Sequence, residues 1–435
     1  MKTYTYPSLS ALAKIASIAQ RGVSFAAADH RAVQKILRRI QKEDDAALIE
    51  YIRRFDAPKL EISGLAAGQK EMETALESLD PAFEKALDKA IANIKAFHER
   101  QKQKSWITMD REGVLLGQIV RPVDAAGVYV PGGKGGNTPL VSSVLMGVIP
   151  AQIAGVERIC IATPPRPDGS VHPHLLAAAA KLNVHTVYKM GSAWAVAALA
   201  YGTKSVHKVD VIVGPGNIFV TIAKKLVAGT VGIDMIAGPS EVLVIADSSA
   251  NPRHIAADLL SQAEHDPLSA SILVTPNRSV AQKVKKALAL EMEQLERREI
   301  AEKAIKKNSA IFLVPDLDAA ALVANKLAPE HLELAVADPF ALFPKIRHAG
   351  AIFMGHHTPE PVGDYIAGPN HVLPTAGTAR FSSALSVEHF TKKSSLLSYS
   401  AEAFAKDAQD IMLLAETENL TAHARSISVR LEKEK

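Results

Sequence analysis

The chain has one cysteine in 435 residues, which excludes an internal disulfide framework and a cysteine-rich zinc site. Cys160 lies in the apolar run Arg158-Ile159-Cys160-Ile161-Ala162, where a buried structural thiol is expected rather than a nucleophile. Aromatics make up only 5% of the residues, and no basic run is interleaved with them, so nothing points to nucleic acid. Charge of one sign is not in excess either: 50 basic against 46 acidic residues leave +4. No stretch is long and apolar enough to span a bilayer, and residues 1–7 hold no apolar signal core, so a cytoplasmic location is expected. None of the glycine loops matches G-x-G-x-x-G or the P-loop pattern.

What is present is ordinary in bulk and informative in order. Hydrophobic residues at 48% and charged residues at 22% suit a soluble globular protein with two or more domains. The first hundred residues read as helices: Val33, Ile36, Leu37 and Ile40 share one face, and Asp80-Pro81 begins another helix. From Ala125 the pattern becomes strand, glycine turn, helix, repeated. Strands are expected at 125–130, 158–162, 184–190 and 209–213, with turns at Pro131 to Asn137, Gly191 and Gly214-Pro215-Gly216-Asn217. The pattern restarts at Glu241, with further strands at 241–245, 271–274, 310–314, 332–336 and 351–354. Two α/β units in tandem with a cleft between them are implied, followed after Leu385 by a mostly helical tail.

Three stretches carry chemistry. The first is Leu259-Leu260-Ser261-Gln262-Ala263-Glu264-His265-Asp266-Pro267, at the end of a helix begun by Asn251-Pro252. Gln262 and His265 are one turn apart and leave that helix end on one face, either as half of a metal site or as a polar final turn. Next is Pro329-Glu330-His331, where the proline breaks the chain away from the preceding helix. The adjacent acid and imidazole are an acid/base pair or a surface charge pair. The third is Gly363-Asp364-Tyr365, in a long glycine- and proline-rich stretch that also holds Asn370 and His371. Glu418-Asn419-Leu420-Thr421-Ala422-His423 stands apart in the tail. Gln262, His265, Asp364 and His423 together would make a mixed nitrogen and oxygen site suited to zinc or another first-row ion.

On these residues the chain resembles the histidinol dehydrogenase family along almost its whole length. The carrying motifs are Leu259 to Pro267, Ala328-Pro329-Glu330-His331-Leu332, Thr358 to Thr375, Val213 to Asn217, Ala237-Gly238-Pro239-Ser240-Glu241 and Leu420 to Arg425. The resemblance implies two tandem Rossmann-like parallel-sheet domains with helical N- and C-terminal extensions. The expected divisions are an N-terminal helical extension at 1–24, a metal and acid/base domain at 25–128 and 242–384, an NAD-binding domain at 129–241, and a dimerisation tail at 385–435. It further implies NAD-dependent oxidation of L-histidinol to L-histidine through the aldehyde. Gln262, His265, Asp364 and His423 are then expected to bind zinc, and through it the substrate. Ser240, His331 and Glu418 are expected to contact the amino alcohol, and Tyr129 and Asn217 to contact NAD. Glu330 is expected to activate water and His331 to act as base in both oxidations. The family is a homodimer whose tail reaches the partner's active site.

Two departures touch the cofactor side. Trp194 stands where the family usually has a glutamine that contacts NAD, and its indole is expected to pack against NAD or to turn into the core. The loop after Pro131 looks longer than usual by Lys134-Gly135-Gly136-Asn137. A same-fold dehydrogenase of another alcohol, a zinc hydrolase and a non-catalytic metal-binding protein are the competing readings.

Overall fold

The computed structural model describes the whole chain except residues 21–24, 134–135 and 433–435. It separates into two compact units, Met1–Gln101 with Val123–Phe390, and Lys102–Pro122 with Thr391–Lys435.

The larger unit contains two all-parallel sheets. The first has six strands in the order Lys2–Thr5, Ala310–Leu313, Ala270–Thr275, Glu241–Ala246, His331–Ala335, Ala351–Met354. The second has five, ordered Thr186–Lys189, Arg158–Thr163, Ala125–Tyr129, Val211–Val213, Gly232–Ile233. Central strands such as Val242 to Ile245 are buried throughout because helices cover both faces. Alternate side chains divide between those faces. Val242, Val244 and Leu273 pack with Ile255 and Leu259, whereas Leu243, Ile245 and Ile272 pack with Ile15, Ile18 and Val323. The second sheet divides likewise, with Val128 and Ile161 on one side and Tyr129 and Cys160 on the other.

Residues 1–24, expected as a helical extension, supply an edge strand as well as the helix Leu9–Ala19. A short edge strand with Lys2 and Thr3 exposed has no apolar run to announce it. The helices between 27 and 99, expected in one domain with residues 242–384, pack on the second sheet. Val33, Leu48 and Ile52 lie in one of its cores, and Leu87, Ala90 and Ile94 in the other. The division expected at 128/129 falls inside the strand Ala125–Tyr129, all of which belongs to the second sheet.

The smaller unit is a three-stranded antiparallel sheet, Thr391–Tyr399 beside Val114–Pro122 beside Trp106–Arg111, with helices Ala401–Thr417 and Thr421–Ser428. The stretch from 385, expected to be mostly helical, therefore contains a nine-residue strand. Its polar run Lys392-Lys393-Ser394-Ser395 hides the strand, since backbone pairing rather than burial holds it. Among the described residues no helix is long and apolar enough to cross a membrane.

Candidate active site

The helix Leu317–Leu327 ends at Ala328, in the left-handed region at φ 47°. Pro329 then delivers Glu330 and His331 to the amino end of the strand His331–Ala335. The neighbouring strand starts at Glu241, with His331 paired opposite Val242. Glu241 holds both functional groups through its backbone. Its N–H donates to Glu330 Oε2 at 2.8 Å, and its carbonyl lies 3.1 Å from His331 Nδ1. A carbonyl only accepts, so Nδ1 carries the proton and Nε2 keeps its lone pair. Nε2 is buried without a hydrogen-bond partner. Burial holds the imidazole below its ordinary pKa, hence neutral near pH 7, and pushes the Glu330 carboxyl well above the usual range.

A second element brings Gln262 and His265. Pro252–Ala263 is a helix capped by Asn251, whose side chain accepts from Arg253 N at 2.9 Å, and its apolar side is Ile255, Leu259 and Ala263. Gln262 is buried in its last turn with Oε1 unpartnered. His265 follows just beyond the helix, exposed, and near His331 and His371.

The third element is the short helix Glu360–Tyr365, which places Glu360 and Asp364 one turn apart with their carboxyls hydrogen-bonded. Glu360 is buried and accepts from Ser261 Oγ at 3.0 Å, while its N–H donates to Glu333 Oε1 at 2.9 Å. Burial, then the charge of Glu360, pushes Asp364 upward. His371 Nδ1 lies 4.0 Å from Asp364 Oδ1, and burial brings that imidazole down to about 4. Behind them Glu333 and Asp258 share a hydrogen bond, and burial raises both.

These groups fit a divalent cation. Ligand atoms of His331, Glu360 and Asp364 all lie within 4.8 Å of one another. The unpartnered oxygen of Gln262 is a buried donor to a metal, and carboxyls that raise one another's pKa gain most from a nearby positive charge. Asp364 is common to this cluster and to the set expected from sequence.

Of the expected cofactor residues, Tyr129 lies in the second sheet, and Trp194 and Asn217 lie on or cap helices connecting its strands. A cleft of about 440 Å³ is lined by Gly216, Asn217, Ile218 and Thr221 on one wall and by Ala237 to Glu241 on another. Asn217 is exposed and caps the helix Ile218–Val227, its Oδ1 accepting from Phe219 N and Val220 N. Tyr129 is buried, and its hydroxyl accepts from Ser192 N at 3.0 Å. Trp194 turns into the core. It is 6% exposed, stacks on Tyr51 and Phe55 at ring separations of 5.8 and 5.4 Å, and donates from Nε1 to Asp56 Oδ2 at 3.1 Å. An indole so enclosed presents no open face to a dinucleotide. Of the extra loop residues, Lys134 and Gly135 lie outside the described residues.

The histidinol dehydrogenase family model matches residues 20–431. The chain belongs to the histidinol dehydrogenase family. It is 56% identical over 400 residues to histidinol dehydrogenase of Desulfotalea psychrophila, covering 92% of each chain. With that of Oleidesulfovibrio alaskensis it shares 54% over 399 residues, again 92% of each. The crystal structure of histidinol dehydrogenase from Elizabethkingia anophelis matches with a TM-score of 0.92 at 38% identity, covering 99% of this chain and 98% of that one.

In the larger unit Ser240 and Glu330 immediately precede, and His331 begins, neighbouring strands of the first sheet, Gln262 and His265 stand at the end of the helix Pro252–Ala263, and Asp364 lies on the helix Glu360–Tyr365. Glu418 and His423 belong to the smaller unit, both exposed, just before and within the helix Thr421–Ser428. The sequence reading gave no role to Glu360, His371, Glu333 and Asp258. Glu360 had a signal, since it precedes Asp364 by one helical turn. Glu333 follows His331 by two in a strand, so the two share a face. Asp258 likewise precedes Gln262 by one helical turn, but its partner Glu333 is distant in sequence.

Proposed function

We propose that the protein oxidises L-histidinol to L-histidine through the aldehyde, using two NAD and one zinc ion per active site. The observation that carries this reading is the buried, unpartnered Nε2 of a neutral His331, next to Glu330 and beside the carboxyls of Glu360 and Asp364. Gln262, His265 and Asp364 would hold the ion, with His423 from a second copy as the fourth ligand. When bound, zinc supplies a positive anchor for the substrate's imidazole and amine, and NAD accepts the hydride.

The chain's own groups do the proton work. His331 Nε2 takes the hydroxyl proton as the carbinol carbon loses hydride. Glu330 takes a proton from water as its oxygen adds to the aldehyde carbon. His331 then takes the hydroxyl proton of the resulting hydrate in the second oxidation, after giving up the first proton. Burial of Glu330, His331 and Gln262 keeps bulk water from the reacting carbon. Ser240 and, from the second copy, Glu418 orient the amino alcohol.

Sharing between copies is supported by the smaller unit. Trp106, Ile107, Met109, Leu397, Leu413 and Leu414 are all exposed there, and so much apolar surface calls for a partner. The test is reduced-cofactor absorbance with L-histidinol and NAD, before and after chelation. Chelation should abolish turnover and zinc restore it, and His265→Ala should lose ion and turnover together. A metal-free variant with full activity would overturn the metal assignment. Metal-dependent hydrolysis without reduced cofactor would favour a hydrolase.

A further inference from the structure

Beneath the cofactor cleft lies a buried ion pair to which the mechanism assigns nothing. Lys224, on the helix Ile218–Val227, pairs with Asp234, and the two side chains are only 3% and 0% exposed. Both reach the same peptide unit. Lys224 Nζ donates to the carbonyl of Gly214 at 2.8 Å, and Gly214 N–H donates to Asp234 Oδ2 at 2.8 Å. The other carboxylate oxygen, Oδ1, accepts from Met235 N at 2.6 Å. The ring Gly214 N–H, Asp234, Lys224, Gly214 C=O is thus closed on itself.

Gly214 needs such a clamp. Its φ is +111°, and a Cβ there would lie 2.1 Å from the carbonyl oxygen of Tyr129. The turn is therefore pressed against the end of the central strand in a conformation that only glycine adopts readily. A glycine has no side chain to hold itself there. Two residues on, a Cβ at Gly216 would strike Val220 at 2.4 Å. The chain then reaches Asn217, on one wall of the cleft. From Met235 it runs through Ala237 to Ser240, on the other wall. Asp234 is hydrogen-bonded to the start of both.

A buried ion pair adds little net stability, because desolvation offsets the attraction. What it does supply is a fixed place for the groups it touches. We propose that Lys224 and Asp234 are positioning residues for NAD, holding the Gly214–Asn217 turn and the segment after Asp234 at the spacing the dinucleotide requires. This rests on reading the 440 Å³ cleft as the dinucleotide site.

The test compares wild type with Lys224→Gln/Asp234→Asn, which removes both charges together and leaves neither buried alone. In wild type, NAD should protect the backbone amides of 214–222 and 235–240 from hydrogen exchange. The double variant should retain its metal content and secondary structure, raise the NAD KM and dissociation constant by at least about tenfold, and leave kcat much less changed. A folded double variant with wild-type NAD affinity overturns the proposal alone. Protection by NAD at other segments overturns the reading of the cleft, and the proposal with it. If the double variant does not fold, Asp234→Glu serves. It keeps the pair but moves the carboxylate by one methylene, and an unchanged NAD KM there also overturns the proposal.

Discussion

His331 Nδ1 sits 3.1 Å from the carbonyl oxygen of Glu241 on the adjacent strand, and that contact decides which nitrogen can act. The backbone of a central strand fixes the tautomer, so Nε2 is the nitrogen left free to accept a proton, without any help from a carboxylate partner. Glu330 Oε2 is 3.8 Å from the same Nδ1, beyond hydrogen-bond reach, and bonds the Glu241 N–H instead. The two groups are held separately and can act separately.

The half-reactions should therefore come apart. Glu330→Gln keeps an acceptor for the Glu241 N–H and should still oxidise histidinol to the aldehyde level, but slow oxidation of supplied histidinaldehyde by about 10²–10⁴-fold. His331→Asn should impair both oxidations by a similar factor. Because burial raises Glu330, its base form grows as pH rises, and the aldehyde step should speed up toward alkaline pH in wild type but not in Glu330→Gln. Equal, mild losses on both substrates would contradict these roles.

Asp56 gives a pH-dependent stability away from the site. Burial pushes its carboxyl up from 3.8 to about 6, against the hydrogen bonds from Trp194 and Gly191. The folded value exceeds the unfolded one. Its favourable contribution is therefore complete below pH 3.8 and lost as pH rises through about 6. Asp56→Asn should match wild type in urea unfolding near pH 4 and exceed it by roughly 2 kcal/mol at pH 8, after allowance for partial exposure. A difference that does not change with pH would refute this.

Trp194→Gln separates packing from cofactor binding. The stack on Tyr51 and Phe55 and the bond to Asp56 would be lost. Stability should fall by about 2–4 kcal/mol while the NAD KM stays as it was. A marked change in NAD KM with undiminished stability would mean that the indole serves the cofactor.

These residues also mark how far the sequence could be read. The helix Pro252–Ala263, with its Asn251 cap and its Gln262/His265 end, follows from local rules of capping and periodicity, and so does the break at Pro329. What escaped depends on partners far along the chain. Trp194 meets Tyr51, Phe55 and Asp56 only because the helices before residue 100 pack on the second sheet. The strand Thr391–Tyr399 is held by pairing with Val114–Pro122, and its own residues are mostly polar. Nor does periodicity reveal that Glu330 and His331 stand at the amino end of a strand of the first sheet, whereas the second presents its cleft-lining turn Gly214–Asn217 at a carboxyl end. That depends on strand order and on which sheet end faces the cleft.

Sharing of the site can be tested by complementation. His331→Asn and His423→Ala should each be inactive. Mixed under conditions that exchange subunits, they should regain activity, because one site of each mixed dimer carries neither lesion. If each chain supplied its own His423, every site would keep a lesion and the mixture would stay inactive.

The most direct test of the overall account is the amount of reduced cofactor formed per histidinol at completion, with histidine assayed alongside. Two NADH per histidinol consumed, with histidine recovered in equal amount to substrate and little free aldehyde, is the predicted result. One NADH per substrate, with the aldehyde accumulating, would contradict it.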